Sequence, residues 1–213
     1  MIFWLITFPI RHIKIFSVGC LLAIFFYGSA HAAERDLAAE SFIQGVSDQT
    51  YDVLNDGGLS LDERKTAFHD IVLGAMDFQR IGLFTLASYR RRVTQDDIAN
   101  FLDAFDDYAI AIYENRLGDY AGEKIQVVDS LVRKKSNGRS DVIVESAIHF
   151  KDGSEPLPVN WRLIEEDGGY RVVDIQVIGV WMALEQRAQF NSIMSQSGGD
   201  INELISHLKG TSA

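Results

Sequence analysis

The strongest constraint on this chain is a change in its hydrophobic period near residue 124. Before that point apolar residues recur at helical spacing. From Lys124 onward they alternate. Val142, Val144, Ser146, Ile148 and Phe150 interleave with Asp141, Ile143, Glu145, Ala147 and His149. Asp152-Gly153 and Asp167-Gly168-Gly169 punctuate the alternating stretch as hairpin turns do. Four strands follow, Ile125–Val132, Asp141–Phe150, Leu157–Leu163 and Tyr170–Ile178, with loops too short for anything but antiparallel pairing. A helical half that precedes an antiparallel meander defines an α+β fold, with helices gathered on one face of the sheet.

The helical half divides at its loop and cap signals. Residues 35–55 read as one helix, closed by Asp56-Gly57-Gly58. Ser60 and Glu63 form a capping box that opens a second helix, ending near Gly74. Met76 to Ser88 reads as a short helix, apolar around most of its circumference and therefore buried. Thr94 caps a long helix to Arg116, with Asp96 and Asp97 in its positive first turn. Ile98, Phe101, Leu102, Phe105, Tyr108, Ala109 and Ile112 form its apolar face. Gly118 and Gly122 bracket a break. After the strands come a helix over Val180–Met194, a Gly198-Gly199 break, and a last amphipathic helix carrying Ile201, Leu204, Ile205 and Leu208.

Residues 1–32 stand apart. Arg11, His12 and Lys14 precede an apolar run of 13 residues, Ile15–Tyr27, and then the small-residue pattern Ala30-His31-Ala32. The run is shorter than the roughly 20 residues that span a bilayer. The pattern is that of a Sec signal peptide cut after Ala32. Cys20, the only cysteine, would leave with it, so residues 33–213 form one domain without disulfides. Without Arg11 and Lys14 the chain holds 18 basic residues against 30 acidic, a net charge of −12. Such a balance disfavours nucleic acid and anionic lipid surfaces as partners.

Chemistry-bearing constellations are scarce. His69, His149 and His207 have no His or Cys at metal-ligand spacing. There is no G-x-S-x-G turn and no phosphate-binding glycine loop. Asp103, Asp106 and Asp107 read as a solvated helix face. Asp56-Gly57-Gly58 lacks the alternating ligands of a calcium loop. Asp174, set among valines and Ile175, reads as a structural carboxylate satisfied by backbone or an arginine. What remains conspicuous is aromatic and apolar content; for any one residue an ordinary core is the favoured reading, and composition alone does not decide whether the space between helices and sheet is filled by side chains or open to a ligand.

Two stretches carry a resemblance. Phe78–Ile125 runs through Leu86-Ala87-Ser88-Tyr89-Arg90-Arg91, the Thr94 helix start, Phe101-x-x-x-Phe105, Tyr108 and Leu117-Gly118-x-Tyr120-x-Gly122. Val159–Leu208 runs through Trp161-Arg162, Gly169-Tyr170-x-Val172-x-Asp174, Ile178-Gly179-Val180-Trp181, Arg187-x-x-Phe190 and Gly198-Gly199-x-Ile201 to Ile205. Together they resemble the MlaC (toluene-tolerance) family of periplasmic phospholipid-binding proteins, with its hopanoid-associated HpnM branch as the alternative. Ala87 stands where the family pattern has Gly, Arg90 where it has an aromatic, Ile178 where it has an acid, and Trp181 where it has a small Ser.

The resemblance implies a cystatin-like (nuclear-transport-factor-like) curved sheet wrapped by helices, with acyl chains held between them. It implies a carrier rather than an enzyme, with lipid as cargo and no cofactor. The implied partners are an outer-membrane lipoprotein complex and an inner-membrane ABC permease with its MCE-domain protein. The residues it points to for lipid are Ile81, Phe84, Tyr89, Phe101, Phe105, Tyr108, Ile112, Ile148, Trp161, Val177, Val180 and Trp181, the last narrowing the pocket or its mouth. Arg90, Arg91 and Arg92 form a basic run suited to docking an acidic partner. A cystatin-like enzyme using Asp174, and an adaptor with a filled core, remain as readings from other classes. A diacyl lipid of about 30 methylenes costs roughly 24 kcal/mol to expose to water. A carrier therefore calls for a dry cavity near the upper end of about 1,000 Å³.

Overall fold

The computed structural model describes residues 34–114, 122–134 and 140–212. Six helices and five strands follow in the order α1 (Leu37–Asn55), α2 (Leu61–Ala75), α3 (Phe78–Leu86), α4 (Gln95–Glu114), β1 (Lys124–Lys134), β2 (Ser140–His149), β3 (Leu157–Glu166), β4 (Gly169–Val177), β5 (Val180–Trp181), α5 (Met182–Gln196) and α6 (Ile201–Ser212). A single 3-10 turn, Tyr89–Arg91, joins α3 to α4. The α+β class and the antiparallel meander are as the alternation implied, and the strands lie in sequence order, β1 to β5.

The caps explain where the helices begin. Asp36 accepts the backbone N–H groups of Ala38 and Ala39 at the start of α1. Ser60 and Glu63 make the reciprocal capping box of α2. At α4 the same device uses an aspartate, with Thr94 and Asp97 each accepting from the other's backbone N–H.

Two boundaries and one burial differ from the sequence reading. Met76 and Asp77 are not helical. Met76 bridges to Val172 of β4, and the Asp77 N–H donates to the Val172 carbonyl at 2.9 Å, so the sheet breaks the helix there and α3 restarts with Asp77 as its cap. Val180 and Trp181 are not the first turn of a helix. They pair with Val177 and Gln176 as a fifth strand, because a two-residue turn at Ile178-Gly179 folds them straight back on β4. Nor is α3 buried all round, since Phe84 is exposed. The end of the long helix at Arg116 and the break at Gly118 lie outside the described residues.

Two apolar clusters form instead of one. The first is helical, built by α3–α6 around Phe78, Phe101, Phe105, Tyr108, Phe190 and Met194. Its rings meet mostly edge-on; the Phe101 and Phe105 rings each lie nearly perpendicular to that of Phe190. The second joins α1 to one sheet face through Ala39, Ile43, Val142, Val144, Leu163 and Val172. Met76 packs against both. The opposite sheet face is polar at its centre, holding Asp141, Arg162 and Asp174.

Candidate functional site

A protein with two apolar clusters has a seam between them, and here the seam falls between α3, α4, α5 and β4. It holds a shallow, partly open pocket of ≈ 120 Å³ lined by Met76, Phe78, Ile81, Phe105, Tyr108, Ala109, Asp174, Ile175, Met182, Ala183 and Gln186. Phe78, Ile81, Phe105 and Tyr108 come from helix positions three or four apart, which places each pair on one face. A polar pairing at the seam joins α4 to α5, where the Gln186 amide donates to the Tyr108 hydroxyl at 3.1 Å. The volume is far below the cavity that a diacyl lipid calls for. Phe78, Phe105, Tyr108 and Met182 occupy the space themselves, and the seam is not parted in this structure.

Asp174 ties the seam together. It is buried, and one carboxylate oxygen accepts the Ile175 and Ala183 N–H groups, each at 2.9 Å. The second bond anchors the first turn of α5 to β4. Arg162 lies 3.7 Å from the other oxygen and the same distance from Asp141. Burial pushes the Asp174 carboxyl above its ordinary value, against the pull of the two N–H groups and Arg162. This is the structural carboxylate that the sequence suggested. Asp106 departs from expectation: it is half-buried, one of its oxygens has no hydrogen-bond partner, and burial with Asp103 and Asp107 nearby raises its pKa.

Next to the seam, and sharing Asp174 and Ala183 with it, runs a groove of ≈ 650 Å³ lined also by Arg80, Phe84, Arg162, Glu165 and Glu166. The two differ in chemistry, one apolar and one charged.

Of the residues singled out for lipid, Ile81, Phe105 and Tyr108 line the seam. Trp161 is the cross-strand partner of Ile175, and Val177 stands two residues beyond Ile175, so both flank the seam on β3 and β4. The Trp161 indole N–H donates to Ser146 Oγ at 2.9 Å. Phe101 is fully buried in the helical cluster, against Phe105. Ile148 is half-buried on β2, opposite Leu157. Phe84 lies in the groove with the Arg187 guanidinium 5.1 Å from its ring, and Tyr89 packs on the helical cluster beneath Arg92. Val180 is exposed on β5. Trp181 is half-buried and covers Arg162, 4.1 Å from the ring centre, one residue before the seam-lining Met182. The Ile112 side chain lies outside the described residues. Arg90, Arg91 and Arg92 are all exposed, and Arg90 and Arg91 share a notch with Phe84 and Arg187.

Sequence reasoning did not single out Met76, Phe78, Ala109, Ile175, Met182, Ala183 or Gln186. Phe78 was within reach, three residues before Ile81 on the same helix face. So was Ala109, four residues after Phe105 on the same face of α4. The others become neighbours only when Met76 and α5 come against β4, and no local period encodes that. Among the described residues no group of three His, Cys, Asp or Glu side chains converges as a metal site would, and no helix is long and apolar enough to cross a membrane.

The architecture is that of an open antiparallel sheet, covered on one face by a single helix, with a helical bundle against its last long strand and an apolar seam between bundle and sheet. Residues 44–210 match the family described as MlaC protein, and the chain belongs to that family. Its fold is similar to a solved structure described as a phospholipid-binding protein from Ralstonia solanacearum in complex with a phospholipid. The two are 20% identical with a TM-score of 0.69, over 82% of this chain and 96% of that one. No curated protein matches the sequence.

Proposed function

We propose that this protein is a periplasmic lipid carrier that holds the acyl chains of a phospholipid in the seam between its helical bundle and its sheet. The observation that carries the reading is the split core. Two apolar clusters meet at a seam lined by apolar side chains, with Met76 packed against both. Parting them would open apolar surface for acyl chains while leaving each cluster packed within itself. The Ralstonia protein, alike in fold, holds a phospholipid, and membership of the MlaC family supports the same cargo here.

In this reading Ile81, Phe105 and Tyr108, with Phe78, Ala109, Ile175 and Met182, contact the acyl chains. Trp161 and Val177 extend the apolar wall along β3 and β4. The polar head turns toward the groove that meets the seam at Asp174, where Arg80 and Arg162 stand. Phe84 and Trp181 border that groove, and Trp181 limits its width by lying over Arg162.

A lipid of about 30 methylenes does not leave such a protein for water, since that costs roughly 24 kcal/mol. Transfer therefore takes place on docked partners: an outer-membrane lipoprotein complex at one end of the route and an inner-membrane ABC permease with its MCE-domain protein at the other. Arg90, Arg91 and Arg92 are the docking contacts, and residues 1–32 are the export signal. Lipid is cargo, and no reaction is assigned to the site.

Mass spectrometry of an organic extract of natively purified protein identifies the cargo. Ala109→Phe fills the seam at a cost of about 1–3 kcal/mol, and it should strip most of the lipid from the extract. Extract lipid equal in the two proteins would place the cargo elsewhere. A hopanoid in place of phospholipid would assign the chain to the HpnM-like branch.

A further inference from the structure

We infer that the turn between β4 and β5, with Ile178, Val180 and Leu184, is a bilayer-contacting tip, selective for an electrically neutral lipid surface. The backbone supplies the first argument. Val177 pairs with Val180, which leaves Ile178 and Gly179 as a two-residue turn with φ of 49° and 80°. Two positive φ values in succession make the mirror-image turn that suits a hairpin, and Asn-Gly or Asp-Gly is the sequence it prefers. The β3–β4 hairpin shows the preference met: Asp167 and Gly168 hold φ of 51° and 76°. At the second turn a β-branched residue stands where Asp stands in the first. Ile in the left-handed region is strained, and its side chain gains nothing from the fold, being 67% exposed. A local rule broken with no compensating contact points to function.

The surroundings identify the occupant. Val180 and Leu184 are 44% and 49% exposed, so three exposed aliphatic side chains fall within a short stretch that runs from the turn into α5. Trp181, half-buried, follows Val180 on β5 and lies over Arg162. Aliphatic groups outermost with an indole beside them is the layering of an interfacial anchor, because Trp favours the headgroup level of a bilayer. Residues 175–184 contain no Asp, Glu, Lys or Arg. A chain of net charge −10 with an uncharged apolar tip is repelled by anionic bilayers and accepted by zwitterionic ones. Three side chains fall well short of the roughly 800 Å² per partner that a stable protein interface buries, which argues against a second copy of the chain. A bilayer imposes no such minimum. The tip leads directly into Met182 and Ala183 of the seam, so a bilayer seated there would lie at the seam's edge. The inference does not depend on what the seam holds, and cargo analysis and membrane contact are measured separately.

Flotation of the purified protein with phosphatidylcholine vesicles tests it. Ile178→Asn restores the preferred Asn-Gly turn, so it should raise the Tm by about 2–4 °C while lowering vesicle partition about tenfold. Leu184→Ser, on ordinary helical backbone, should lower partition by a similar factor. The inference is overturned if the wild type does not float, if it floats only with vesicles containing phosphatidylglycerol, or if both variants float as the wild type does. It is equally overturned if Ile178→Asn lowers the Tm, or if the substitutions abolish a concentration-dependent dimer instead.

Discussion

At the scale of single residues, Asp174 concentrates most of the site's polar energetics. It joins β4 to the first turn of α5 and faces Arg162 across 3.7 Å. Asp174→Asn keeps an oxygen for the two N–H groups but sets an amide against the guanidinium, so it should cost about 1–2 kcal/mol. The two proteins should also respond differently to pH. Burial raises the folded-state pKa of Asp174 above its ordinary value. Its contribution to stability is therefore greatest at low pH and is lost as pH rises through that raised pKa. Melting curves from about pH 4 to 7 should show the wild type's advantage over the variant shrinking as pH rises. An advantage that grows would mean that attraction to Arg162 outweighs burial. Residue roles of this kind were partly legible. A carboxylate among valines announces a structural role, and the sequence reading gave Asp174 one, but its partner Ala183 belongs to an element that only the fold brings near.

At the scale of elements, close approach decides how the bundle is built. Gly82 lets α3 lie against α4: a Cβ there would stand 2.7 Å from Leu102 Cδ2 and 3.2 Å from Phe105 Cδ1. Leu102 can swing its terminal methyl aside, whereas the Phe105 ring is held between Phe101 and Phe190. Gly82→Ala should cost about 1 kcal/mol and Gly82→Val about 3. Chemical denaturation measures both, and Gly82→Val unfolding at the wild-type midpoint would contradict the packing. Elements were the most legible level. Ser60 and Glu63 announced the start of α2, and Asp167-Gly168 the β3–β4 turn, because caps and turns are written in adjacent residues. Met76-Asp77 and Val180-Trp181 were misassigned for the converse reason. Both are extended because they pair with β4. For Met76 the partner is Val172, almost a hundred residues away, which leaves no trace in local period; for Val180-Trp181 the partner is adjacent, but the Ile178-Gly179 turn lacks the Asn-Gly or Asp-Gly signal and the strand is too short to show alternation.

At the scale of the whole molecule, a change of period at residue 124 was enough to give the α+β class, while the split of the core was not legible. Apolar side chains look alike whether they fill one core or line the boundary between two, and the seam exists only because α5 returns along β4. Charge acts at this scale as well. In an acidic chain, Arg90, Arg91 and Arg92 form an exposed run with Arg187 close by. Reversing the charge of Arg90, Arg91 and Arg92 should slow docking to the transport partners by tenfold or more, roughly, and reduce its dependence on salt, with bound lipid unchanged. Loss of lipid, or an unaltered association rate, would remove them from the docking surface. The carrier function rests on a seam that opens around acyl chains. Native mass spectrometry of the gently purified protein tests this most directly: the account predicts a dominant species heavier than the bare chain by one phospholipid, and a bare chain from a lipid-replete host would contradict it.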